Sequence, residues 1–263
     1  MSRPNETIPP LYLHCAGLTH QGIVRTDNED AFGMRMDLGL FVVADGMGGR
    51  SAGDVAARIT VEEMEAFFTH RVTHERDPWP YPMSKQASLG ANILNVGLKV
   101  ANAAIRAAAA RAPELNRMAA TAVALAIGQT QLSVAHVGDA RAYRLREGKL
   151  SRLTRDHSVV EEMKAARPDI SEAALAAMAP KNVVTRALGS KDDVEPTVYQ
   201  KTFMRQDTYL LCSDGLWGEL PDATIEGLLN QHRDLEEACQ HLIDAANAAG
   251  GKDNVSVILL RVD

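Results

Sequence analysis

The chain is an α+β protein by its sequence: a four-layer α-β-β-α sandwich of two antiparallel sheets packed face to face, with helices outside. Three observations carry this reading. Short apolar segments joined by turn signals recur at hairpin spacing, which means antiparallel pairing and not βαβ crossovers. Two long segments, residues 52–68 and 85–111, have helical composition. The order runs strands, two helices, hairpin strands, two helices and a last strand, and facing sheets with outer helices would cover every apolar face.

The elements follow in order. Residues 12–18 read as a first strand, and 31–36 as a second that Asp37-Leu38-Gly39 returns onto 40–44. The run 40–44 ends in Asp45, and Gly46, Gly48 and Gly49 follow, which reads as a buried strand opening into a tight turn. Ser51 and Asp54 fit a capping box for the helix at 52–68. Residues 70–84, with three prolines, read as a surface loop. Its His70 and His74 stand four apart, but Arg71 replaces the Glu of a zinc-protease motif, which leaves solvated histidines. The Ala-rich segment 85–111 is the second long helix, its apolar stripe against a sheet. Strands follow at 120–127, 132–137, 141–145 and 149–153, with Gly128-Gln129-Thr130 and Glu147-Gly148 as hairpin signals. Residues 156–179 read as an insert, helical but broken at Arg167-Pro168. Strands at 197–202 and 208–213, helices at 221–230 and 235–249, and an alternating strand at 255–262 complete the chain. Gly250-Gly251 stops the last helix.

Composition narrows the functional classes. With 263 residues, 46% hydrophobic and 24% charged, the chain can bury a large core as one domain, residues 11–263, behind a flexible tail at 1–10. A net charge of −6 argues against nucleic acid held by bulk charge. Cys15, Cys212 and Cys239 are odd in number, with no CxxC spacing, which opposes a disulfide framework and a zinc site and suits a reducing compartment. The start of the chain lacks the apolar core of a signal peptide, and the longest nearly apolar run, 118–127, is about half the ~20 residues of a membrane span. The expectation is a soluble cytoplasmic protein that engages neither membrane nor nucleic acid.

Function is signalled by carboxylates at strand ends. Asp45 ends one buried run, and Glu29-Asp30 opens another strand. Asp139 sits in Val137-Gly138-Asp139-Ala140-Arg141, Asp214 ends a strand before Gly215, and Asp253 precedes the last strand. Any one of them could be an ordinary turn. If the strands share an edge, however, the oxygens converge, and so many carboxylates stay ionised together only around cations. Oxygen ligands without His or Cys select hard ions such as Mg²⁺ or Mn²⁺.

Taken in order, Arg25-x-x-x-Glu29-Asp30, Asp45-Gly46-Met47-Gly48-Gly49, Val137-Gly138-Asp139-Ala140-Arg141, Ser213-Asp214-Gly215 and Gly251-Lys252-Asp253-Asn254 resemble the motifs of the metal-dependent serine/threonine protein phosphatases, the PPM or protein phosphatase 2C family. Met47 resembles its bacterial branch, and the similarity spans about residues 15–261. The resemblance implies a β-sandwich flanked by helix pairs that hydrolyses phosphoserine and phosphothreonine with two Mn²⁺ or Mg²⁺ ions. It implies that Asp45 bridges the two ions, that Glu29 and the Gly46 carbonyl hold one, and that Asp214 and Asp253 hold the other. Asp139 would bind a weaker third ion with Asp214, and Arg25 would grip the substrate phosphate. Two ions roughly 3.5–4 Å apart lower the pKa of a shared water, which attacks phosphorus in line, so no Ser or Cys nucleophile is needed. Residues 156–197 resemble the family's flap. Substrates would be phosphoproteins made by a bacterial-type Ser/Thr kinase, acted on by a monomer.

Three departures stand out. Met47 replaces a histidine that serves animal members as proposed general acid, Ala140 replaces the usual Ser, and Gly218 lies where many members carry an Asp for the third ion. Two other readings compete. A nucleotide loop at 46–53 fails the Rossmann pattern because Ser51 replaces its third glycine. A metal-stabilised pseudophosphatase, a binding module without turnover, shares the fold but usually lacks carboxylates that this chain keeps.

Overall fold

The computed structural model describes residues 12–49, 52–171, 174–175, 178 and 183–263. The expected tail at 1–10, the Ser51 cap and Asn182 of the flap lie outside the described residues. Among the described residues, ten strands form two five-stranded sheets in which every pairing is antiparallel. One sheet contains β1 (Leu13–His20), β10 (Val255–Val262), β9 (Thr208–Cys212), β6 (Arg141–Arg146) and β7 (Lys149–Arg152), in that order. The other runs β2 (Asp30–Arg35), β3 (Leu40–Met47), β4 (Ala119–Ile127), β5 (Gln131–Val137) and β8 (Thr197–Thr202).

Side chains alternate across each strand, and here both faces are buried. Phe41 and Val43 of β3 and Val123 and Leu125 of β4 point between the sheets, where they meet Tyr209, Leu211, Ile258 and Leu260. The alternate residues Leu40, Val42 and Ala44 face outward into a second core, together with Ala120, Ala122, Ala124 and Ala126. That alanine face is shallow, so α1 (Ala52–Thr73) and α2 (Leu89–Arg111) can lie close against the sheet. Helix α2 is long and apolar enough by composition to cross a bilayer. Its Ile93, Leu94, Leu98, Ala101 and Ile105 are instead buried in that outer core. On the opposite side, α6 (Leu235–Ala249) packs Ala238, Cys239, Leu242, Ile243 and Ala246 over Val255, Val257 and Leu259.

Several boundaries differ from the sequence reading. Helix α1 runs to Thr73, five residues beyond its expected end at Phe68. Arg71, only 3% exposed, holds that last turn by donating to the Glu75 and Asp77 carbonyls while stacking on Trp79. His70 therefore belongs to a helix and not a loop, stacked on His74 and 3.2 Å from Asp77. Helix α2 starts at Leu89 and not at 85, because the Ser88 side chain caps it by accepting from Ala91 N. In the insert, α3 (Val159–Ala166) is capped by Ser158 and ends at Ala166, with Arg167 as its C-cap before Pro168. Two short pieces went unexpected: a 3₁₀ turn at Pro113–Leu115 and helix α4 (Asp214–Trp217). Helix α5 (Asp222–Gln231) then leads into α6.

Candidate metal centre

At one end of the sandwich the two sheets present their acidic strand ends to each other. Asp30 and Asp45 lie directly opposite across β2 and β3, so two carboxylates occupy one cross-strand pair. Like charges so placed repel, and the fold keeps them only if protons or cations relieve the repulsion. Asp214 enters at the end of β9 as the first residue of α4, and Asp139 enters from the turn between β5 and β6. Asp253 comes from the turn before β10.

Burial pushes the Asp45 carboxyl well above the usual range, and the charges of Asp214, Asp30, Asp139 and Asp253 push it further. Burial raises Asp30 as well, opposed by hydrogen bonds from Ser213 and Ser256 and reinforced by Asp214 and Asp253. Asp139, 5% exposed, is pushed up to about 7 by burial and by Asp214 and Asp156. Asp214 is raised by burial and then by Asp253. The strand-end carboxylates therefore form a single electrostatic cluster.

Neutral residues fix it in place. Ser213 Oγ donates to Asp30 Oδ2 at 2.7 Å and accepts from Ser256 N at 2.9 Å, which ties one sheet to the other. Asn254 Oδ1 accepts from Glu29 N at 2.8 Å, and its Nδ2 donates to the Gln21 and Asp27 carbonyls at 2.8 Å each. The loop carrying Arg25 and Glu29 is thereby sewn to the strand that follows Asp253. Arg25 Nη2 reaches Asp253 Oδ2 at 2.7 Å, with the arginine side chain half exposed.

Gly46 and Gly53 let β3 and α1 touch. A Cβ on Gly46 would fall 2.0 Å from the Gly53 carbonyl oxygen, and one on Gly53 would fall 2.8 Å from Glu29 Oε1. Only glycines allow this approach, which brings the Glu29 carboxylate to the end of β3, where Gly46 lies.

Asp139 is held from behind. Trp217 Nε1 donates to the Asp139 carbonyl at 3.1 Å, and the Arg141 guanidinium lies over the Trp217 ring, 3.5 Å from its centroid. Asp156 accepts from Arg141 Nε and Nη2 at 3.0 and 2.7 Å. His157 Nδ1 accepts from Gly138 N at 3.1 Å, so the base of the expected flap grips the same turn. Gly218, next to Trp217, is exposed.

Asp45, Asp139, Asp214 and Asp253 thus come together, with Glu29 and Gly46 on one flank and Arg25 at the rim. Sequence reasoning missed Asp30 as a partner of Asp45, as well as Ser213, Asn254 and Gly53. The Asn254 signal lay beside Asp253, but its partners are more than two hundred residues away. Among the described residues no three His, Cys, Asp or Glu side chains stand drawn up as a finished cage. The donor set still fits a hard divalent ion: every functional atom is an oxygen, and Asp30 Oδ1 is buried with no partner.

The family described as Protein phosphatase 2C matches residues 19–255. The chain is 34% identical over 261 residues to the serine/threonine phosphatase stp of Listeria monocytogenes, covering 95% of this chain and 96% of that one. It superposes on the serine/threonine phosphatase of S. agalactiae with a TM-score of 0.82 and 31% identity, over 96% of this chain and 100% of that one. The catalytic domain of the phosphatase PstP, solved in complex with 2 manganese ions, superposes with a TM-score of 0.80 and 30% identity, over 96% of this chain and 99% of that one.

Proposed function

The chain belongs to the protein phosphatase 2C family, and from that premise we propose that it hydrolyses phosphoserine and phosphothreonine in proteins at a centre of two Mn²⁺ or Mg²⁺ ions. The observation that carries the proposal is the cluster in which burial and neighbouring charges, that of Asp253 among them, raise the carboxyls of Asp30, Asp45, Asp139 and Asp214. Asp45 is assigned between the two ions, Glu29 and the Gly46 carbonyl to one, and Asp214 and Asp253 to the other. Asp139, with Asp214, is assigned to a weaker third. Bound divalent ions supply Lewis acidity and an activated water at neutral pH.

The chain's own residues do the rest. Arg25, half exposed at the rim, binds the substrate phosphate and can meet two of its oxygens with parallel N–H bonds. Its partner Asp253 is one of the residues that would hold an ion, so the guanidinium stands beside the centre. Ser213 and Asn254 hold Asp30 and Glu29 in register. No cysteine serves as nucleophile: burial pushes the Cys212 thiol far up, and Cys15 and Cys239 are raised by the same cause. Met47 offers no proton to the leaving group. We further propose that the protein acts as a cytoplasmic monomer opposing a Ser/Thr kinase.

The test is phosphate release. Purified protein should turn over p-nitrophenyl phosphate and a phosphothreonine peptide with Mn²⁺ and stop in EDTA. Absence of turnover with every divalent ion tried would end the enzyme reading.

A further inference from the structure

Ile23 and Val24 are the most exposed large hydrophobic side chains among the described residues, at 66% and 64%. They are adjacent, and Arg25 comes next. Neither belongs to any of the three hydrophobic clusters, so their exposure gives the fold nothing in return. Nor is the turn that carries them loose. Ile23 N and Val24 N both donate to the Gly251 carbonyl, at 2.7 and 3.1 Å. Gln21 Nε2 donates to the Arg25 carbonyl at 2.6 Å, and Asn254 holds Gln21 and Asp27 on either side. Ile23 sits against Gly251, where an added Cβ would fall 2.6 Å from its Cγ1. The same glycine loop carries Asp253, which Arg25 reaches. A backbone fixed at both ends thus displays two β-branched side chains to water beside the residue assigned to the phosphate. Exposed apolar groups on a rigid loop at a site mark recognition.

We propose that Ile23 and Val24 form a ledge that receives an aliphatic side chain flanking the phosphorylated residue of a protein substrate. The proposal rests on the phosphatase reading, because Arg25 sets where the phosphate lies. The occupant follows from continuity with that phosphate site. A substrate in extended conformation advances ~3.3 Å per residue, so a side chain one to three positions from the phosphoresidue spans the step from Arg25 to the ledge. Covering an aliphatic side chain there is worth about five- to twentyfold in selectivity.

The experiment compares matched phosphothreonine peptides that differ only in a flanking Leu or Ser, with p-nitrophenyl phosphate as the reference that has no flanking residues. The enzymes are the wild type, Ile23→Ser, Val24→Ser and the double variant, and because both positions are exposed the exchanges leave the core untouched. The wild type should show a KM about five- to twentyfold lower for the Leu peptide, with similar kcat. In the double variant the ratio should fall toward one, with each single variant between. A wild type without preference, or a preference that survives the double exchange, overturns the ledge while leaving the phosphatase reading intact. Self-association lost with the exchange, without loss of selectivity, would make the ledge a contact between copies and overturn it as well. No turnover of p-nitrophenyl phosphate by the Mn²⁺-loaded wild type would overturn the phosphatase reading, and the ledge with it.

Discussion

Gly53→Ala isolates the close approach of α1 to the metal centre. The new methyl carbon would lie 2.7 Å from Glu29 Cδ, 2.7 Å from the Gly46 carbonyl carbon and 2.8 Å from Glu29 Oε1. Ordinary van der Waals contact begins near 3.4 Å, so each contact must open by more than half an ångström. The Glu29 carboxylate can swing aside. Gly46 cannot, because it is paired with Ala120 and its N–H is bonded to the Glu29 carbonyl. Relief therefore comes from displacing Glu29 and from a small shift of α1. Overpacking of this kind costs about 1–3 kcal/mol, which for a chain of this size lowers the melting temperature by about 2–12 °C. A displaced ligand or its support weakens metal binding by roughly 10–100-fold. Calorimetric Mn²⁺ titration and differential scanning calorimetry of the metal-free variant measure the two effects. The same exchange at Gly227, in α5 with nothing within 4 Å of the new carbon, should instead stabilise the protein by about 0.5–1 kcal/mol. Wild-type Mn²⁺ affinity in Gly53→Ala would refute the assignment of Glu29 and the reasoning built on it.

Two other outcomes follow from the electrostatics. Asp45 and Asp139 have folded-state pKa values raised above the ordinary carboxylate range, Asp139 to about 7. Their contribution to metal-free stability is therefore present below about pH 4 and is lost as pH rises through the raised values. Bound Mn²⁺ removes that loss, so the gain in melting temperature on adding Mn²⁺ should grow between about pH 6 and 8. A gain independent of pH would contradict it. Asp156→Ala leaves the largely buried Arg141 without its bidentate partner and should cost about 3–5 kcal/mol in urea unfolding; a loss below ~1 kcal/mol would contradict it.

Some elements were legible because a local signal decided them. Helix α6 and strand β10 fall where the stop at Gly250-Gly251 and the apolar pattern put them, and the structure adds Asp234 as the cap of α6. Other boundaries were set by tertiary contacts. The end of α1 depends on Arg71 finding Trp79 and two loop carbonyls, which no window of α1 contains. Helix α4 is four residues long, too short to leave a period. The carboxylates of the site were visible as acids closing apolar runs. Their neutral partners were not, since Ser213 meets Asp30 and Asn254 meets Glu29 only once the sheets are stacked. Asp30 was hidden by its neighbour: only the β2–β3 register shows which of Glu29 and Asp30 stands opposite Asp45.

The central claim is that Asp45 is the shared ligand of a two-ion centre that turns over phosphothreonine. Asp45→Asn, assayed for Mn²⁺ stoichiometry by calorimetry and for phosphate release from a phosphothreonine peptide in the same preparation, tests it most directly. The wild type should bind two tight ions and release phosphate, and the folded variant should lose tight binding and turnover together. Normal turnover by the variant, or tight binding of both ions with Asn at position 45, would contradict the account.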